Sequence, residues 1–391
     1  MMEELLAHLD AYEPHYINIG VGRTLSLGNN VVSVHQTGFE FQPGDLVVLG
    51  VNESRNSLNP SQQNSPNLIR RYLYSLAAVG SKVRIVDAGN IVSTSTPSDT
   101  YKALENVIGL FLQKEIIVIV LGGTQELTEG IYRGFKQNKK HITLSVVDSH
   151  IDIDDDPEDF HSLNYINRLL REEQQSLFDM SFIGYQGYFV DSEKIDGLRK
   201  SNYELLRLGF VRGNYREVEP TFRNSDIVSF DIGAVRSSDS PGNTFPSPNG
   251  LYAEEACQLA RYAGTSERTR CFGIFEYNPD KDPTLQSALL TAQLVWHFIE
   301  GATFRRSEMS KEQLDSAKKF IVNSGTPGVD LIFYRDEVSD NWWFEIPLSE
   351  KHNIFGRQNL IIPCSPFDYT LASKQEIPER WLRFFHKINQ G

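Results

Sequence analysis

The chain has 391 residues, 40% hydrophobic and 23% charged, the balance of a folded globular protein with room for one large α/β domain and additions, or for two ordinary domains. Its formal net charge is −13 and no cluster of Lys and Arg stands out, which argues against a nucleic-acid backbone or an anionic membrane as the main partner. Cys257, Cys271 and Cys364 are far apart and lack metal-ligand spacing, so neither a disulfide framework nor a structural zinc site is expected, and a reducing cytoplasm suits the chain best.

The N-terminus is acidic and amphipathic rather than basic then apolar, unlike a secretory signal, and no apolar run approaches the roughly 20 residues that span a bilayer. After a short opening helix, residues 45–51 read as the first buried strand. Ser65-Pro66 opens a helix through about residue 78, with proline in the first turn where its missing N–H does no harm. Alternation follows: strand over 82–88, helix over 99–114, strand over 116–121, helix over 129–138, strand over 142–147. Helical spacing returns over 162–173 and 192–208, with a short strand at 181–184 between them. Strands at 226–232 and 271–277 flank a helix at 252–262, and a long helix covers 284–300. Strands separated by helices of this length imply parallel crossovers and an open α/β sheet covered on both faces, with its site at the carboxyl ends of the strands. Beyond residue 304 the rhythm breaks. Short strand-like pieces, the pair Trp342-Trp343 and a final helix over 380–388 form an appended α+β segment that suits an interface or a packed extension equally well. The expected organisation is thus an N-terminal segment (1–39), an α/β domain (40–303) and a C-terminal extension (304–391).

Residues 142–156, Ile-Thr-Leu-Ser-Val-Val-Asp-Ser-His-Ile-Asp-Ile-Asp-Asp-Asp, organise the rest. An apolar strand leads into Asp148, His150 and Asp152 at alternate positions, which an extended backbone points to one side. Two carboxylates and an imidazole there suit a divalent cation with mixed oxygen and nitrogen ligands. The alternative is a solvated acidic loop without chemistry.

Two further strand ends are unusual: Gly122-Gly123-Thr124-Gln125-Glu126 and Ser229-Phe230-Asp231-Ile232-Gly233. With Asp148-Ser149-His150-Ile151-Asp152 between them, their order and spacing resemble the ureohydrolase superfamily of arginase, agmatinase and formimidoylglutamase. That family reads Gly-Gly-Asp-His, Asp-Ala-His-x-Asp and Ser-x-Asp-x-Asp at these places. Ser65-Pro66-Asn-Leu-Ile-Arg70 looks like its early helix, Pro241-Gly242 and Pro246-Ser-Pro-Asn-Gly250 like its Pro-Gly-rich loop, and Phe275-Glu-Tyr-Asn-Pro279 like its Glu-x-Asn-Pro strand. The formimidoylglutamase-like branch is nearest. The resemblance implies a three-layer αβα fold with an open, mainly parallel sheet. It also implies a two-manganese site whose hydroxide attacks a guanidinium or formimino carbon. Carried over residue by residue, Asp148 and Asp231 would bridge the metals, His150 would bind one and Asp152 the other. Glu255 falls where the family keeps a carboxylate for the substrate's cationic nitrogens, and is otherwise a first-turn carboxylate favoured by the helix dipole.

The departures decide the reading. Gln125 replaces a metal-binding His, Gly233 the second Asp, Thr124 an Asp, and Arg236 the Asp of an Asp-Pro step. Gln125 can still offer an amide oxygen, whereas Gly233 offers no side chain. Arg236 is either an ordinary loop arginine or a guanidinium in the space of a lost cation, paired with Asp231 or Asp148. Glu126, Asp154, Asp155 and Asp156 are either solvated loop carboxylates or candidates to restore the site, and His161 is either a surface or half-buried structural histidine or a proton shuttle. The expectation is an incomplete two-metal site holding one divalent cation or none. The protein is then weak or inactive as a hydrolase and binds a small guanidino or formimino ligand, or a protein partner through the C-terminal extension, with a homo-oligomer possible. The alternatives are a C–N hydrolase using one metal or a remodelled pair, and a purely structural subunit.

Overall fold

The computed structural model describes residues 2–20, 23–80, 82–154, 160–171, 176–305, 314, 316–326, 329–348 and 359–389. A ten-stranded sheet forms its centre. In chain order its strands are β1 (Leu9–Asp10), β2 (Val31–Ser33), β3 (Leu46–Gly50), β4 (Ile85–Ile91), β5 (Ile117–Leu121), β6 (Ile142–Val147), β7 (Leu177–Tyr185), β8 (Glu204–Arg207), β9 (Ile227–Asp231) and β10 (Cys271–Phe275). The spatial order is β1-β4-β3-β5-β10-β9-β6-β7-β8, with β2 also on β4. Every pairing is parallel except β1 with β4.

Both faces of the sheet are covered, as near-continuous apolar strands require. Along β5, Val118 and Val120 pack on one face while Ile117, Ile119 and Leu121 pack on the other, and β3 and β10 divide in the same way. The first face carries α1 (Met2–Leu6), α3 (Pro97–Gln113), α4 (Leu127–Lys136), α5 (Tyr165–Arg171) and α6 (Ser192–Lys200). The second carries α2 (Ser65–Leu73), α8 (Tyr215–Arg223), α9 (Ala253–Thr265) and α10 (Gln286–Ala302), with α7 (Leu208–Gly213) leading into α8. The fold is the three-layer α/β architecture expected.

Several boundaries differ for tertiary reasons. The helix opened by Ser65 stops at Leu73 because the chain beyond it turns to pair with an earlier segment, through the Ser26–Ala77 bridge and Leu27 N–H donating to the Leu76 carbonyl at 2.7 Å. The helical spacing over 192–208 hides a break. After α6, Asn202 takes a positive φ of 56°, and β8 then sends Leu205 and Leu206 to opposite faces of the sheet. The strand expected at 181–184 is the longer β7.

The C-terminal segment is an antiparallel meander of β11 (Lys318–Asn323), β12 (Asp330–Arg335), β13 (Trp342–Pro347) and β14 (Asn359–Cys364), followed by α11 (Pro366–Ser373) and α12 (Glu379–Asn389). β11 and α11 are not evident in the residue pattern. The paired tryptophans are packed rather than presented. Trp342 joins the extension's own core, and Trp343, 3% exposed, lies under the Arg223 guanidinium of α8 at 5.0 Å. Arg223 also donates to the Trp342 and Cys364 carbonyls, at 3.2 and 3.0 Å. From α12, Arg380 donates to the Glu217 carbonyl at 2.8 Å, while Arg383, at 2.7 Å, and Lys387 both bind the Asp179 carboxylate of β7.

Burial pushes the Asp179 carboxyl up, but Arg383 and Lys387 overcome it and hold the group below the usual carboxylate value. A depressed acid contributes stability at neutral pH that is lost as pH falls through its folded value. Asp179→Asn strands two buried cations and is expected to cost about 3–5 kcal/mol at pH 7, measured by urea unfolding, with the deficit shrinking in strong acid.

Candidate functional site

Strand register brings the site together. Asp231 closes β9 opposite Phe275, so Glu276 follows immediately beside it, and Val147 lies opposite Phe230, which sets Asp148 at the same level. The ends of β5, β10, β9 and β6 are therefore adjacent and flush. At the end of β5, Gly122 and Gly123 adopt φ of +80° and +70°, and a Cβ on Gly123 would lie 2.7 Å from the Val51 and Glu53 carbonyl oxygens. Only glycine allows that turn, which drives Thr124, Gln125 and Glu126 into the interior at 1%, 1% and 0% exposure.

The Gln125 backbone N–H donates to Glu276 Oε1 at 2.9 Å. Its side-chain amide nitrogen is assigned toward Asp148 Oδ2 and Asp152 Oδ2, each at 3.2 Å, with the oxygen accepting from Ser229 Oγ at 3.2 Å. The opposite orientation would aim oxygen at two carboxylates. A single amide thus bridges two of the expected ligands. The Thr124 hydroxyl has no partner among the described residues.

Asp148, His150 and Asp152 do converge, though not through an extended backbone. The strand ends at Val147, and Asp148 Oδ1 turns back to accept the His150 N–H at 2.9 Å, an Asx-type bend. The His150 ring stacks on Phe189, with centroids 4.3 Å apart at 13°, and its Nδ1 lies 2.9 Å from Ser149 Oγ. Asp231 Oδ1 accepts the Gly233 N–H at 2.6 Å, and a Cβ on Gly233 would meet Asn243 Nδ2 and Asp231 Oδ1, both at 3.0 Å.

Glu276 is the site residue that motif spacing alone does not single out. Its signal was present in Phe275-Glu-Tyr-Asn-Pro279, but its left-handed backbone, φ 65°, is invisible in sequence. Its carboxyl group accepts from Asn59 Nδ2 at 3.2 Å as well as from Gln125. Together these residues floor a cavity of about 330 Å3 whose wall includes His150, Phe189, Phe245 and Pro246. A larger groove of about 910 Å3 lies between β8 and the C-terminal extension, where Arg380 pairs with Asp368 and Arg383 with Asp179.

Arg236 is not in the site. Its guanidinium pairs with Asp239 at 2.9 Å and lies 4.0 Å over the Tyr252 ring, so the expectation that it replaces a lost cation beside Asp231 or Asp148 is not met. The nearby Asp239 captures it within one turn of chain. Glu255 caps α9, accepting the Tyr252 N–H at 2.9 Å, and faces Arg212 at 3.4 Å, outside the cavity wall. Glu126 lies behind the floor, accepting from Tyr101 at 3.2 Å. Asp154 is 3.8 Å from His161, and neither lines the cavity. Asp155 and Asp156 lie outside the described residues.

Burial, then mutual repulsion, pushes the Asp148, Asp152 and Asp231 carboxyls well above the usual range. Burial likewise raises Glu276 to about 7, and burial lowers His150, which favours its neutral form. No Lys or Arg lines this cavity among the described residues. The donors that meet its carboxyl groups are neutral: the Gln125, Gly233 and His150 backbone N–H groups and the Asn59 amide.

The sequence profile of the arginase family matches residues 44–300. The chain belongs to the arginase family. It is 25% identical over 258 residues to a formimidoylglutamase of Lysinibacillus sphaericus, spanning 63% of this chain and 80% of that protein. A Rhodococcus jostii formimidoylglutamase is 23% identical, with 66% and 86% covered. Among solved structures, a Trypanosoma cruzi formiminoglutamase with Mn2+ superposes with a TM-score of 0.63 at 24% identity, covering 67% of this chain and 95% of that one. The Bacillus subtilis formimidoylglutamase gives 0.65 at 17% identity, covering 76% and 97%.

For the metal pair implied by the family, this donor set is short of an imidazole at Gln125 and of a carboxylate at Gly233. Gln125 brings a neutral side-chain amide to 3.2 Å from Asp148 and Asp152, and Gly233 supplies no side chain. No group of three or more His, Cys, Asp or Glu among the described residues is placed to hold a metal ion.

Glu276 supplies a pH test. An acid raised in the fold contributes stability that is present below its unfolded value and lost as pH rises through its folded value. Between pH 4.5 and 7, EDTA-treated protein is expected to lose about 3 kcal/mol more stability than Glu276→Gln does over the same range, read from unfolding at each pH. Parallel pH profiles would refute the assignment.

Proposed function

We propose that this arginase-family protein uses its formimidoylglutamase-like cleft to bind a small nitrogenous ligand, of guanidino or formimino type, and is weak or inactive as a hydrolase. The observation that carries this reading is the Gln125 amide, 3.2 Å from both Asp148 and Asp152. Two carboxylates that would share a divalent cation share an amide instead. A dication both neutralises such a site and acidifies its water, while an amide does neither. Asp148, Asp152, Asp231 and His150 then serve as polar walls and hydrogen-bond acceptors, and the neutral His150 ring is held in place by Phe189.

The second reading is a manganese-dependent hydrolase of linear amidines. It is favoured by the relatives named formimidoylglutamase, one of them solved with Mn2+, and by three Asp residues and one His kept at the ends of β6 and β9. A name of that kind points to a glutamate carrying a formimidoyl group as the first substrate to try.

Elemental analysis after dialysis against excess manganese separates the two. The expected result is less than one tightly held equivalent per chain and no hydrolysis of guanidino or formimidoyl compounds. The Gln125→His/Gly233→Asp double variant, which returns one donor to each side, is expected to take up more manganese than the unaltered chain. Two equivalents in the unaltered protein, accompanied by turnover, would establish the hydrolase.

A further inference from the structure

The mouth of the cavity differs from its floor. Leu58, Leu163, Phe189 and Phe245 are 47%, 37%, 41% and 55% exposed, and all four surround this one opening. Large apolar side chains exposed together, rather than singly, mark a binding surface. The rim is also held in shape. The Phe245 N–H donates to Asn243 Oδ1 at 2.8 Å, the neighbouring Thr244 N–H donates to Asn59 Oδ1 at 2.9 Å, and Phe189 is stacked on His150. The floor presents Asp152, Asp231 and Glu276, and the described wall contains neither Lys nor Arg.

We propose that the cavity selects a carboxylate-free organic monocation with an apolar body, an amidinium or ammonium, whose head docks directly on Asp152, Asp231 and Glu276 while its body lies between Phe189 and Phe245. The proposal rests on the reading of the site as a binding pocket without a metal pair, and it departs from the relatives' implied ligand. A glutamate-bearing compound brings two carboxylates into a pocket whose floor is acidic and whose wall, among the described residues, offers no cation to receive them. An amidinium finds planar acceptors below and aromatic faces beside it, both attractive to a desolvated cation. A volume of about 330 Å3 suits one ring or a short chain.

The test is calorimetric titration of EDTA-treated protein with benzamidinium, with benzoate as its counterpart of like shape and opposite charge, and with N-formimidoylglutamate. Benzamidinium is expected to bind and the two carboxylates are not. Phe245→Ala, a change at an exposed position that leaves the fold intact, is expected to weaken benzamidinium about ten-fold. Asp231→Asn is expected to weaken it further. Binding of benzoate or N-formimidoylglutamate as tight as that of benzamidinium, an unchanged affinity in Phe245→Ala, or no benzamidinium binding at millimolar concentration would each overturn the proposal. Metal content of the same samples keeps the two ideas apart. A manganese-loaded, hydrolytic protein refutes the pocket reading itself, whereas a metal-free protein that prefers carboxylates refutes only the ligand class.

Discussion

Negative charge gathered at the flush ends of β5, β10, β9 and β6 is the constraint on which the centre of this molecule turns. Parallel strands in register must deliver their last residues to the same level, and here those residues are Asp231, Asp148 and Glu276, with Asp152 one bend further on. Buried carboxylates need a cation, a proton or a set of donors. The chain supplies donors: the Gln125 amide and backbone N–H, Asn59, and the backbone N–H groups of His150 and Gly233. Every one of them is neutral. The raised proton affinity of the cluster follows from burial and mutual repulsion.

The arginines and lysines are spent elsewhere. Arg70, fully buried, holds Asp87 and Asn90 of β4, and Arg84 holds Asp45 just before β3. Arg383 and Lys387 converge on Asp179, and Arg380 on Asp368. In each case a carboxylate inside the fold is matched by a cation reaching it from another element. The same chemistry is withheld from the cavity floor among the described residues, so the contrast is between Asp179, lowered by Arg383 and Lys387, and the cavity acids, raised by burial and by one another.

Much of this was legible in the chain of residues. Continuous apolar runs identify β3, β5, β6, β9 and β10 because strands covered on both faces have little room for anything else. The motif ends then place Gln125, Asp148, His150, Asp152 and Asp231 together, as the structure does. What pattern conceals is partner choice and backbone detail. Leu205 and Leu206 read as part of a helix face until their opposite packing shows a strand. Arg236 has Asp239 three residues away, and a local partner outcompetes a distant one without leaving any mark in composition. Glu276 takes a left-handed backbone, and the Gln125 side chain meets two carboxylates from another strand end, neither of which residue order reveals.

Among the described residues the sheet also ends at β8, a strand bonded to β7 alone. A strand with one side open is a template for another chain, and folded proteins commonly cover or blunt such a side. Here the appended meander and its helices stand over that margin, with Phe367, Arg380 and Arg383 facing the residues of β8 across the groove. The extension therefore ties down this margin by charge: a chain shortened to its family-matched portion would leave the carboxylates of Asp179 and Glu204 without the cations that α12 brings to them.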